Sequence, residues 1–213
     1  MATVDIWRWR IEPDVRLAGY LSEDERARAA CFARPDHAAS YTATRGRLRA
    51  ILGAVTGAAP SDIRFDYGPH GKPSLSHGPP FNLSHSGGVA ILAITDGPEV
   101  GVDVEAWCPV EPSVADRYFT PAEREALAAM PFDLGFFRCW SRKEAVVKAI
   151  GMGLSMPLHA FDVTLGGAAR IARIDGDDPS AWHLIDLHEP PGASAALALR
   201  DPEAPPRIRR HDL

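Results

Sequence analysis

Residues 136–154, FFRCWSRKEAVVKAIGMGL, decide how the rest of the chain is read. As a helix this stretch gathers Phe136, Trp140, Val147 and Ile150 onto one apolar face, because side chains three, four or seven apart stack on one side of a helix. Glu144 and Lys148 stand four apart, so they project from the same flank one turn from each other. Gly151 and Gly153 then stop the helix, since glycine takes the left-handed C-terminal conformation without a Cβ clash. A Glu/Lys pair of this spacing is ordinarily a solvated surface pair worth a few tenths of a kcal/mol. Its meaning depends on what the remaining sequence brings beside it.

Just upstream, residues 89–95 and 100–105 are apolar runs flanking Asp96-Gly97-Pro98-Glu99, punctuation that predicts a β-hairpin. In such an antiparallel pair the start of the first strand meets the end of the second. That sets Asn82-Leu83-Ser84-His85 beside Asp103 and Glu105. Strand alternation puts both carboxylates on one face and Val102 with Val104 on the other. Spacing alone therefore proposes a cluster of serine, histidine and two acids.

Further out, Val4 to Trp9 alternates as a half-buried strand. Ser22 with Glu25 forms a capping box opening a helix to about Phe32, along which Arg26 and Arg28 lie. Residues 36–55 predict a second helix, with Tyr41, Leu48, Ile51 and Leu52 inward and Arg45, Arg47 and Arg49 on its other faces. Residues 63–67 predict a strand, and the glycines and prolines of 68–80 predict a loop. Downstream, Thr120-Pro121-Ala122-Glu123 is a helix start. Strands are expected around 161–165, 182–187 and 195–199, and the prolines of 202–206 predict a loose tail.

An internal repeat appears at an offset of 98 residues. Ser22, Glu25 and Arg26 align with Thr120, Glu123 and Arg124. Arg45 falls on Lys143, Leu48 on Val146, Leu52 on Ile150 and Gly53 on Gly151, while Ile63 and Phe65 fall on Phe161 and Val163. The expectation is a mixed α/β (α+β) protein of two similar halves, residues 1–100 and 101–213, packed as an intramolecular pseudo-dimer. Clefts between halves favour ligands. This one would draw Arg45, Lys72 and His85 from the first half and Glu144 and Lys148 from the second, with Asp103 and Glu105 at the junction.

Composition narrows the chemistry. The chain of 213 residues carries 23 Lys+Arg against 28 Asp+Glu, a net charge of −5, which argues against a protein that coats nucleic acid. Three cysteines, odd in number and without a CxxC, argue against a disulfide framework or zinc knuckle and fit a reducing cytoplasm. No apolar run approaches the length of a membrane span. Carboxylates without cysteines or a histidine cluster suit a hard cation such as Mg²⁺, which takes one or two carboxylates plus substrate phosphates. His85, Lys72, Arg45 and Lys148 would add donors for phosphate oxygens. Each residue alone has an ordinary surface explanation; together they describe a Mg²⁺ site for a polyphosphorylated substrate. A Mg²⁺-dependent phosphodiesterase or nuclease and a non-catalytic binding module for such a ligand stay open as alternatives.

The ordered set Gly71-Lys72-Pro73, FNLSHS (81–86), GVDVE (101–105) and FFRCWSRKEAVVKAIGMGLS (136–155) closely resembles the Sfp-type 4′-phosphopantetheinyl transferases, in order and at plausible spacing from about residue 3 to residue 200. The resemblance implies transfer of the phosphopantetheine arm of coenzyme A to a serine of an acyl, peptidyl or polyketide carrier protein, secondary metabolism included. It implies a monomer without nucleic-acid or membrane partners. Asp103, Glu105 and Glu144 match the family's Mg²⁺ acids, and Glu144 is also the candidate base for the carrier serine. Lys148 would stabilise charge at the diphosphate and His85 would meet the phosphates. Ser84 and Arg45 would help hold the 3′-phosphate, and Lys72 with Pro73 would border the adenine. Two departures stand out: Glu25 occupies a position where the family often has a base, and Ser40 stands where another is common. Residues 106–131 are expected to help dock the carrier.

Overall fold

Strand β1 (Thr3–Arg10) buries Val4, Ile6 and Trp9, as its apolar pattern requires. In the computed structural model, which describes residues 1–187 and 192–213, helices α1 (Val15–Ala18), α2 (Glu23–Ala30) and α3 (Pro35–Thr56) follow it. Next come β2 (Asp66–Tyr67), β3 (Pro73–Ser74), β4 (Phe81–Ser86), β5 (Val89–Thr95) and β6 (Val100–Ala106). The helices α4 (Pro112–Tyr118), α5 (Pro121–Ala128) and α6 (Phe132–Ile150) precede β7 (Phe161–Val163), β8 (Ile171–Ile174), β9 (Trp182–Leu187), β10 (Ala193–Arg200) and β11 (Arg207–Asp212). Among the described residues, no helix is long and apolar enough to cross a membrane.

The strands make one sheet in the order β11-β1-β5-β4 and a second in the order β6-β10-β9, with β2/β3 and β7/β8 as short separate pairs. Leu48, Ile51 and Leu52 of α3 pack on Trp9, Phe81 and Leu92 from one face of the first sheet. Val4, Ile6, Ile91 and Ala93 on its other face meet Val102, Val104 and Leu197 of the second sheet. Phe136, Val146 and Ala149 of α6 cover that sheet's far side at Ala196 and Ala198. The layers therefore run α3, first sheet, second sheet, α6, a mixed helix-and-strand fold.

Several expectations need correction. The predicted hairpin does not exist: β5 is hydrogen-bonded on both edges, to β1 and β4, while β6 pairs with β10. A strand already paired on both sides has no edge to offer a third partner. Residues 63–67 yield only the two-residue β2, because Arg49 donates to the carbonyls of Pro60 and Ile63 and takes the place of a sheet partner. The deciding helix starts four residues earlier than read and ends at Ile150, capped by Gly151 at φ 81°. Gly53 is not the matching stop. It lies inside α3, where a Cβ would come 2.8 Å from the Ala58 carbonyl, and Gly57 at φ 76° forms the cap. Helices α1 and α4 and strands β4 and β8 have no counterpart among the elements expected from the sequence.

The end of the chain is not a loose tail. Past the prolines, β11 lies parallel to β1, with Arg209 and His211 on Asp5 and the His211 ring stacked 4.5 Å from Trp7. Residues 207–212 thus belong to the sheet built by the first half, so a cut at residue 100 does not separate the two sheets. The capping boxes of the repeat do form, Ser22 with Glu25 and Thr120 with Glu123. Each buried glutamate then receives a base from the long helix that follows it: Arg45 and Arg49 on Glu25, Lys143 on Glu123. Arg49, expected on a charged outer face, is 2% exposed. Its donor reaches the Ile63 carbonyl as Lys143 reaches that of Phe161, the aligned position.

Candidate active site

The two sheets meet at β4 and β6, and no backbone ladder joins these strands. Side chains make the joint instead. Asn82 Oδ1, Ser84 Oγ and Ser86 Oγ, alternate residues on one face of β4, accept the backbone N–H groups of Val102, Val104 and Ala106 at 2.9, 3.3 and 3.1 Å. The constant step makes the strands parallel in register. The predicted neighbourhood of Ser84 and His85 with Asp103 and Glu105 is real, but this seam creates it rather than a hairpin.

Two rungs of the seam also hold acids. Ser84 Oγ donates to Asp103 Oδ1 at 3.0 Å and Ser86 Oγ donates to Glu105 Oε2 at 3.1 Å. Lys148 closes the first rung, its Nζ donating to Asp103 Oδ1 at 2.6 Å and to Ser84 Oγ at 2.9 Å. Helix α6 can deliver Lys148 because Gly101 lets it touch β6. A Cβ at residue 101 would sit 2.0 Å from the Ala145 carbonyl oxygen and 2.3 Å from the Ala149 nitrogen. Glu144, one turn before Lys148, is half-buried on the same flank.

Charge is incompletely balanced here. Burial, then the Asp103 charge, and further the Glu105 charge raise the Glu144 carboxyl above its ordinary range, while Lys148 pulls it back. Burial and Asp103 likewise raise Glu105, offset in part by Ser86, Lys148 and a hydrogen bond from Trp140. His85, open at the rim yet shielded by surrounding protein, has its imidazole pushed down by desolvation and by Lys148. Acids coupled in this way beside a cleft are a recurrent mark of functional sites.

A cleft of about 760 Å³ opens next to the seam, lined by Arg45, Pro73, His85 and Ser86 together with Arg28, His37, Tyr41 and Tyr67. Arg45 is held there by Glu25 at 2.7 Å and the Tyr67 hydroxyl at 3.0 Å, its guanidinium 4.5 Å above the Phe65 ring. Glu25, the departure noted above, thus anchors the cleft arginine. Lys72 takes a different place from the one expected. Its Nζ donates to Glu99 at 2.6 Å and to the Val100 carbonyl at 3.1 Å, and its neighbours Gly71 and Pro73 line the cleft instead. His37, Tyr67 and Ser86 were absent from the residues selected by sequence, and of the two bases noted on the first predicted helix Arg28 lines the cleft. For Ser86 a signal existed: small polar residues at 82, 84 and 86 alternate along one strand face.

The three acids were expected to converge as metal ligands. Among the described residues, no group of three or more His, Cys, Asp or Glu is arranged to hold a metal ion. Asp103 Oδ1 is instead occupied by Ser84 and Lys148. The donor set still fits a divalent cation. Asp103 Oδ2 is buried with no hydrogen-bond partner, and an orphaned carboxylate oxygen beside two acids of raised pKa is a deficit of positive charge.

A family model described as the 4′-phosphopantetheinyl transferase superfamily matches residues 99–200. The 4′-phosphopantetheinyl transferase HetI of Nostoc sp. is 36% identical over 92% of this chain and 87% of its own length. The 4′-phosphopantetheinyl transferase Sfp of Bacillus subtilis is 29% identical over 92% of this chain and 90% of its own. Among solved structures, Thermotoga maritima holo-[acyl-carrier-protein] synthase aligns with a TM-score of 0.42 at 20% identity, covering 48% of this chain and 62% of that one.

Proposed function

The chain belongs to the 4′-phosphopantetheinyl transferase superfamily and transfers phosphopantetheine to carrier proteins; from that premise we propose that its donor is coenzyme A and its cofactor Mg²⁺, with Glu144 as the base. The carrier serine Oγ attacks the diphosphate phosphorus that bears the pantetheine. The bond from that phosphorus to the bridging oxygen breaks, and adenosine 3′,5′-bisphosphate leaves with the electron pair. The serine proton passes to the Glu144 carboxylate.

The observation that carries this reading is the knot of Ser84, Asp103 and Lys148 with Glu144 one helical turn away, next to the stretch of β4 whose His85 and Ser86 line the cleft. A carboxylate raised above its ordinary pKa is a stronger proton acceptor than a solvated one. Lys148 brings a positive charge to the place where the leaving diphosphate gathers negative charge. Arg45, His85 and Pro73 line the cleft for the nucleotide end, and Ser84 directly precedes His85 on β4; Arg28 and His37 add cationic or hydrogen-bonding groups in the cleft. Asp103, Glu105 and Glu144 would hold Mg²⁺, which when bound neutralises diphosphate oxygens and lowers the repulsion met by the nucleophile.

We also infer a monomer working in the cytoplasm, consistent with three free cysteines, on acyl, peptidyl or polyketide carriers that dock near residues 106–131. The two-half description is supported by the matching Glu25 and Glu123 pairs, with residues 207–212 assigned to the first half. The test is the intact mass of an apo carrier protein incubated with enzyme, coenzyme A and Mg²⁺. The expected result is a gain of one phosphopantetheine unit that EDTA abolishes. Full modification in EDTA would remove Mg²⁺ from the account, and modification without coenzyme A would remove the donor.

A further inference from the structure

The rungs of the β4–β6 seam differ in what they hold. Asn82 accepts only a backbone N–H, from Val102. Ser84 and Ser86 each accept a backbone N–H and donate their own O–H to an acid on the neighbouring strand. A hydroxyl has one proton and two acceptor sites, so a serine engaged at both ends has its O–H direction fixed. Asp103 has a second fixed partner in Lys148. For Glu105, among the described residues, the hydroxyl contact from β4 comes from Ser86.

The backbone around Ser86 is itself pinned. The chain reverses immediately afterwards through Gly87 and Gly88, at φ 57° and 79°. At Gly87 a Cβ would come 2.4 Å from the Cβ of Ala106. Ala106 is the same residue whose N–H Ser86 accepts. The end of β4 is thus pressed onto the end of β6 at the point where Ser86 reaches Glu105, and Ser86 also lines the cleft. We propose that Ser86 is a positioning residue: it aims the Glu105 carboxylate at the divalent-cation site and ties that site to the cleft wall. This rests on Glu105 being a metal acid. Outer partners that orient metal ligands typically contribute about 10–100-fold in metal affinity.

The test measures Mn²⁺ affinity of the enzyme–coenzyme A complex without carrier, by electron paramagnetic resonance, alongside thermal denaturation. The variants are Ser86→Ala, Ser86→Thr, Asn82→Ala and Glu105→Gln. Ser86→Ala should weaken Mn²⁺ binding about 10–100-fold, and Ser86→Thr, which keeps the hydroxyl, should restore it. Asn82→Ala should lower the melting temperature and leave Mn²⁺ affinity unchanged, because its rung holds no acid. If Ser86→Ala fails to fold, Ser86→Cys, with a weak donor of similar size, should show a partial loss of affinity. Wild-type Mn²⁺ affinity in Ser86→Ala or in Ser86→Cys, with Glu105→Gln impaired, overturns the positioning role. Wild-type affinity in Glu105→Gln overturns the metal reading beneath it, and is recognisable as that separate failure.

Discussion

Lys143 and Glu144 are adjacent on α6, yet their charges meet opposite treatment. Lys143 is fully buried and fully answered: it donates to Glu123 at 2.6 Å and to the Phe161 carbonyl at 2.8 Å, 4.3 Å above the Phe161 ring. Glu123 completes the set by accepting the N–H groups of Val163 and Thr120. On the other flank Asp103 keeps an oxygen without a partner, Glu105 is raised by burial and by the Asp103 charge, and Glu144 is raised by burial and by the charges of Asp103 and Glu105. The first arrangement is complete with protein groups alone, as buried charge in a stable fold must be. The second is left incomplete by protein groups, and the proposed Mg²⁺ would complete it. Completeness of the local charge balance, rather than burial or motif, separates the structural pair from the one proposed to react.

The largest expected effect lies on the incomplete flank. Glu144→Gln should cut turnover by about 10²–10⁴-fold, the usual contribution of a positioned base, without lowering the melting temperature. The sign follows from its raised pKa. Between its ordinary and raised values the folded state holds more protons than the unfolded one, so ionised Glu144 destabilises the fold as pH rises. Removing that charge cannot cost this stability. For the same reason the metal-free wild type should lose stability as pH rises through and above the ordinary glutamate range, a loss absent from the variant and readable in denaturant unfolding. A large drop in melting temperature with normal turnover would exchange the roles of the two flanks.

Next in size is the complete flank. Lys143→Met leaves Glu123 buried and unpaired, which should cost about 3–5 kcal/mol in denaturant unfolding, with turnover per folded molecule close to wild type. Lys143→Met with Glu123→Leu should recover part of that loss, since apolar replacement of both partners avoids an isolated charge. If the double variant is no better than the single one, the pair contributes something besides mutual neutralisation. The smallest effect is expected at Lys72. Its partner Glu99 is 61% exposed, so Lys72→Ala should cost less than about 1 kcal/mol and leave the KM for coenzyme A nearly unchanged. A strong rise in KM would return Lys72 to the nucleotide site.

The same contrast explains what the sequence disclosed. Short-range devices were legible because their causes are local: the capping boxes at Ser22 and Thr120 and the glycine stop at Gly151 formed as read. The acids on β6 and the pair on α6 were legible from strand and helix periodicity. Pairing partners were not. Asp96-Gly97-Pro98-Glu99 is turn chemistry whether the strands it joins share a sheet or pass between two, and only the occupied edges of β5 decide. Arg49 looked like a surface base because nothing local announces that Glu25, 24 residues away, will meet it in the core. Lys72 was placed by its motif, whereas its position is set by Glu99 and the Val100 carbonyl.

The last strand has a bearing on how the molecule comes into being. Thr3 pairs with Arg207, so β1 leaves the ribosome long before the strand that covers its outer edge. At 5–20 residues per second that interval is roughly 10–40 s. Throughout it the nascent first sheet carries an open edge, the kind of surface on which neighbouring chains pair and aggregate. Asp5, Arg8 and Arg10 punctuate that edge with charge, and Asp5 later becomes the seat for Arg209 and His211. The residues that secure the finished strand are among those that guard it during synthesis.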